Sequence, residues 1–217
     1  MKKHEQGISL TELLVIIAFL SVLAAVFIPQ FAVSAVRANN AAALADLQNA
    51  VAAEESLYVA YGGYGASVFS VGAGAYNPVF FSGIEMAGPI PAATDTTAGG
   101  VLAMGPTYGY PVLPAVGIGI QVSSGVRMRV DVKSWPYGSR LFGYGSTYNI
   151  MAWYGGSDTV YGAEAEAKNS IYVCKNSGFT YGVPGPIPAM VVAVTEWHDF
   201  DGSPCSGYPL PNWARLL

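Results

Sequence analysis

The sequence predicts an α+β chain: one long N-terminal α-helix, about residues 8–61, whose C-terminal half packs on a four-stranded antiparallel β-sheet. Three observations carry this reading. A run of 21 almost wholly apolar residues, from Ile8 to Ile28, follows a short polar start. An alanine-rich stretch with helical periodicity continues from Pro29 to Gly62-Gly63. Beyond Ile118, apolar and polar residues alternate with the period of a half-buried strand.

Residues 1–7 are polar and carry Lys2 and Lys3, and the apolar run behind them is as long as the ~20 residues a helix needs to cross a bilayer. Lysines ahead of such a span hold its front end in the cytoplasm and send the rest outward. One carboxylate, Glu12, sits inside the apolar run. A charge in such a segment is costly and needs a partner.

Gly7-Ile8-Ser9-Leu10-Thr11-Glu12 resembles the processing site of the type IV pilin and pseudopilin family: a glycine, a bulky apolar residue, and a glutamate four positions on. The likeness covers about Lys2 to Tyr61. It departs from the usual pattern at Ile8, where phenylalanine is common, and at Ser21, where many members have glycine. It implies that residues 1–7 are a leader removed by a prepilin peptidase, which cuts between Gly7 and Ile8 and methylates the Ile8 amine. It also implies that Glu12 pairs with the Ile8 amine of a neighbouring subunit and that Pro29 keeps its place after the span. The implied partners are identical subunits in a helical homopolymer, the peptidase, an inner-membrane assembly machinery, and the membrane itself before assembly. The implied location is the inner membrane for the precursor and a cell-surface filament for the product. A pseudopilin of a type II secretion system shares all these features and is the alternative. A third reading is a secreted adhesive or binding domain, released at Val33-Ser34-Ala35 by signal peptidase. The embedded acid and the length of the apolar run argue against a signal peptide.

Residues 8–28 are thus read as the membrane or filament-core half of the helix, and 29–61 as its amphipathic outer half. Leu44, Leu47, Val51 and Tyr58 fall at helical spacing, with Asp46, Asn49, Glu54 and Glu55 turned elsewhere. Pro29 lacks a backbone donor and is expected to kink or open the helix without ending it. Such a helix is about 80 Å long. Residues 62–217 form the β-rich head, of which 62–114, rich in Gly, Pro and Tyr, is a variable connecting region with short strands. A hairpin is expected from Ile118–Val122 and Val126–Val132 around Ser123-Ser124-Gly125. Further strands are expected at Tyr148–Tyr154, Ile171–Cys174 and Met190–Val194. The four-stranded meander packed on the helix is also the fold that the resemblance implies.

Charged residues make up only 11% of the chain. A surface this poor in charge suits a subunit that buries itself against neighbours. The net charge is −4, and no basic stripe is present, so nucleic acid is not an expected partner. No G-x-S-x-G elbow and no phosphate-binding GKS or GKT loop occurs, and His198 is the only histidine beyond the leader residue His4. An enzyme is not expected, nor is a cofactor. Asp199-Phe200-Asp201-Gly202 puts two carboxylates beside a glycine turn, a pattern found at calcium sites. Asp199 and Asp201 are the candidates, but the other oxygens are missing and an acidic turn accounts for them. The two cysteines, Cys174 and Cys205, favour a disulfide in an exported chain, or two separate thiols in a cytosolic one.

Overall fold

The computed structural model describes residues 9–69, 80–81, 83–93, 99–104, 116–133, 147–167, 170–175, 200 and 213–216. Helix α1 (Leu10–Tyr61) is 52 residues long, and local chemistry fixes both of its ends. Ser9 is the N-cap. Its hydroxyl accepts the Glu12 N–H at 3.2 Å, while the Glu12 carboxylate accepts the Ser9 N–H at 2.9 Å. The pair satisfies donors that the first turn leaves without helical partners. At the other end Gly62 takes a φ of 78° and donates its N–H to the Tyr58 carbonyl at 2.8 Å. A side chain is strained in that left-handed conformation, so glycine stops the helix. Pro29 lacks the N–H that would reach Ala25, and the helix runs on through it.

The chain divides into two compact units, residues 1–38 and 39–217. In the second unit the outer half of α1 buries Ala43, Asp46, Leu47, Ala50, Glu54 and Leu57. This corrects the expected face. Leu47 lies inside as foreseen, but Leu44 and Val51 are half-buried, Tyr58 is exposed, and Asp46 and Glu54 point inward. Both acids are buried because each accepts hydrogen bonds from the β region. Asp46 takes those of Ser123, and Glu54 takes the Gly65 N–H at 2.9 Å. Hydropathy assigns such side chains to solvent, whereas hydrogen bonding brings them in.

After α1 come β1 (Ala66–Val68), β2 (Phe80–Phe81), β3 (Met86–Ala87), β4 (Val101–Met104) and β5 (Val116–Gly119). The remaining described strands are β6 (Val126–Lys133), β7 (Thr147–Tyr154), β8 (Thr159–Glu164), β9 (Tyr172–Lys175) and β10 (Ala214–Arg215). They form two sheets, where one of four strands was expected. A three-stranded sheet has the order β1-β4-β5; a seven-stranded one has the order β10-β9-β8-β7-β6, with β2 and β3 both pairing with β6. All pairings among these described strands are antiparallel. The coarse class, a long apolar helix followed by antiparallel sheets, is as the sequence indicates.

The hairpin across Ser123 does not form. β5 pairs with β4, placing Ile118 opposite Leu102, and Val122 bridges to Ile90. The turn itself is present, with the Val126 N–H donating to the Ser123 carbonyl at 3.1 Å, but it links two sheets. Alternation shows that a segment is extended and one-sided; it does not name the partner strand. β8 escaped notice because it is buried on both faces, which erases the alternation. The expected strand at Met190–Val194 lies outside the described residues.

β7 divides the core. Tyr148, Ile150 and Ala152 join the cluster that includes Leu47, Leu57, Leu102 and Met128. Met151 and Trp153, on the opposite face, join Val160, Tyr172, Cys174, Phe200 and Trp213. The large sheet is therefore apolar on both faces.

Candidate functional site

The feature that packing within the chain leaves unexplained is the first half of α1. Fifteen large apolar side chains between Leu10 and Val33 are exposed, Phe31 at 71% among them. None of its most apolar stretch is buried, and the helix is long and apolar enough to cross a membrane. No charged residue occurs between Glu12 and Arg37. Soluble monomers seldom expose contiguous apolar patches beyond a few hundred Å². This surface is suited to lipid or to other apolar helices.

Glu12 stands at the start of that surface, and the capping pair with Ser9 gives its carboxylate a fixed position. One oxygen, Oε2, accepts the Ser9 N–H; Oε1 has no hydrogen bond among the described residues. The carboxylate can therefore accept a further donor without abandoning the cap. Ser9 also exchanges a 3.0 Å hydrogen bond with the Thr11 hydroxyl. The Ser21 hydroxyl donates to the Ile17 carbonyl at 2.7 Å, a local bond that removes a free donor from an apolar setting. Gly7 and Ile8 lie outside the described residues. Ser9 was not singled out from sequence, although Ser9-x-x-Glu12 is a capping-box pattern.

Of the candidates later in the chain, Cys174 is described, and it lies in the second apolar layer of the head. Cys174 is in a disulfide. The sequence offers one other cysteine, Cys205, which lies outside the described residues. Around Cys174, the Phe200 ring stacks on Tyr172 at 5.4 Å and meets Trp213 edge-on at 4.7 Å. Buried Glu164 accepts the Tyr172 hydroxyl at 2.9 Å and the Phe200 N–H at 3.2 Å, so one carboxylate ties the C-terminal segment to the sheet. At Gly162 a Cβ would lie 2.6 Å from the Phe200 ring. Asp199 and Asp201 lie outside the described residues, and no described group of three or more His, Cys, Asp or Glu could hold a metal.

Asp131 is wholly buried on β6. It accepts the Gly83 N–H at 2.6 Å and pairs with Arg129 at 3.0 Å. Burial pushes its carboxyl upward, and the Arg129 charge and the Gly83 bond hold that rise back. This is anchoring chemistry: the acid fixes the chain entering β3 against β6.

Comparison with protein-family models, with characterised proteins and with solved structures returns no match.

Proposed function

We propose that the chain is the precursor and building block of a type IV pilus-like filament. It is cut between Gly7 and Ile8, methylated on Ile8, held in the inner membrane by the first half of α1, and then polymerised through that half. The observation that carries this reading is the exposed apolar first half of α1, whose one carboxylate, Glu12, lies at its start. Its other end is built into a β-rich head. A lipid-facing helix explains the apolar surface alone; a helix that later packs among copies of itself also explains the acid. The free Ile8 amine of one subunit and the Glu12 carboxylate of the next are each a costly charge in an apolar fibre core, and each relieves the other.

N-terminal mass spectrometry of the mature protein tests the reading. It should find N-methylated Ile8 as the first residue. Val36 as the first residue would overturn the proposal in favour of a domain released by signal peptidase. Replacing Gly7 with a bulky residue should leave the precursor uncut in the membrane.

A further inference from the structure

Glu54 occupies an unusual place: a carboxylate with no exposed surface, near the end of α1, where the chain leaves the helix for β1. Its Oε2 accepts the Gly65 N–H at 2.9 Å, while its Oε1 is buried without a partner. No ion pair reaches it among the described residues. Among the described residues, the titratable groups around it, directly or through Tyr64 and Tyr148, are acids and phenols. Glu55 and Tyr58 lie on its own helix, Tyr64 on the segment behind the helix, and Tyr148 on β7, with Glu166 close to Tyr148 beyond β8. Tyr64 stacks on Tyr58 at 4.9 Å and meets Tyr148 edge-on at 4.7 Å, so it is held between the end of α1 and β7.

We infer that the Glu54–Gly65 contact is a proton-controlled latch, closed while Glu54 is protonated and released when it ionises. A neutral carboxyl tolerates this buried site, whereas a carboxylate there has one N–H among the described residues in place of the several donors that water supplies. The segment able to give way is short. Gly62 and Gly63 precede Tyr64, and Gly62 already holds the left-handed turn, so opening moves Tyr64 and Gly65 without unwinding α1 or parting β6 from β7. Burial is the main cause that raises the Glu54 carboxyl well above its ordinary range. The Gly65 bond opposes the rise and the Glu55 charge adds to it. A group raised on folding stabilises the closed form fully below its unfolded pKa and loses that contribution as pH climbs through the folded one. The latch therefore opens toward higher pH. The inference stands apart from the filament reading, since it concerns the head alone.

Hydrogen exchange of the full chain in detergent micelles tests it, read on the peptide spanning Glu54 to Ser67 and corrected for intrinsic rates. Protection there should fall by up to about tenfold per pH unit between the pKa of the open form and that of the closed form, the slope of one released proton, while peptides from β6 and β7 stay protected. Glu54→Gln should abolish the pH dependence. Glu55→Gln, which removes a like charge but leaves the latch, should ease ionisation of the closed form, so that protection levels off at a lower pH and falls less in total, and it decides the matter if Glu54→Gln does not fold. A wild-type profile in either variant, or protection lost evenly across all strands, overturns the inference.

Discussion

Asp46, on the outer half of α1, accepts both the backbone N–H and the hydroxyl of Ser123, at 2.7 and 3.0 Å, across 77 residues of sequence. One helical carboxylate thereby fixes the turn that delivers the chain into β6. With Glu54 holding Gly65, it binds the helix to both ends of the region between α1 and β6. Apolar contact holds the helix on the head; these two acids set its rotation.

Asp46→Ala should therefore cost more than its exposure in a helical-wheel view suggests. It leaves the Ser123 N–H without its acceptor in a partly buried site, a loss of about 1–3 kcal/mol. Ser123→Ala keeps the stronger N–H contact and should cost about 1 kcal/mol or less. Denaturant titration of the two variants in micelles gives the comparison. Equal losses, or none for Asp46→Ala, would show that the contact does not set the register.

The helix was legible from sequence because its signals are local: an apolar run, a glycine stop, and a length that only one kind of element permits. Glu12 stood out because a charge in an apolar run is conspicuous. The sheets were half legible. Val126–Val132 alternates cleanly, whereas Tyr148–Tyr154 carries one plainly polar residue, Asn149, and is buried on both faces. Partners were not legible, because Ile118 meets Leu102 through a pairing decided by the whole head. The inward acids, Asp46 and Glu54, were assigned to solvent, as their bonds lie with Ser123 and Gly65, invisible to any periodicity. Ser9 was missed although its signal is local.

Gly162→Ala tests the second apolar layer. The new methyl would meet the Phe200 ring at 2.6 Å, so the ring has to leave its stack on Tyr172. Overpacking of this kind typically costs about 1–3 kcal/mol. Hydrogen exchange should rise over β9 and β10 and remain unchanged over the outer half of α1. Unchanged exchange at β9 would mean that Phe200 yields without consequence.

Alkylation without prior reduction should label neither Cys174 nor Cys205 if the head is exported as proposed. If they pair with each other, the bond closes a 31-residue loop, for which chain entropy gives roughly 3–4 kcal/mol. Reduction should then loosen the segment carrying Phe200 and Trp213 and leave any filament intact, since polymerisation is proposed to run through α1. Free reaction of both thiols in intact filaments would refute the pairing. Dissolution of filaments on reduction would instead place the C-terminal segment in the contacts between subunits.

The capping pair makes Glu12 testable in a way that alanine alone does not permit. Glu12→Ala removes two things together, the charge proposed to meet a neighbour's Ile8 amine and the cap on Ser9. Glu12→Gln removes the charge but keeps an acceptor able to take the Ser9 N–H, since glutamine serves at this position of a capping box. Ser9→Ala does the reverse, losing one hydrogen bond of the cap and keeping the charge. If the charge does the docking, both Glu12 variants should insert into the membrane and be cleaved normally, because the Gly7 junction is untouched and an acid has left the apolar span. Both should then yield few or no filaments, while Ser9→Ala assembles at a reduced but measurable level. The measurement is sheared-filament yield against membrane-bound subunit for each variant. Wild-type yield from Glu12→Gln would assign the residue to capping its own helix, and the register between subunits would then rest on apolar packing of the helices.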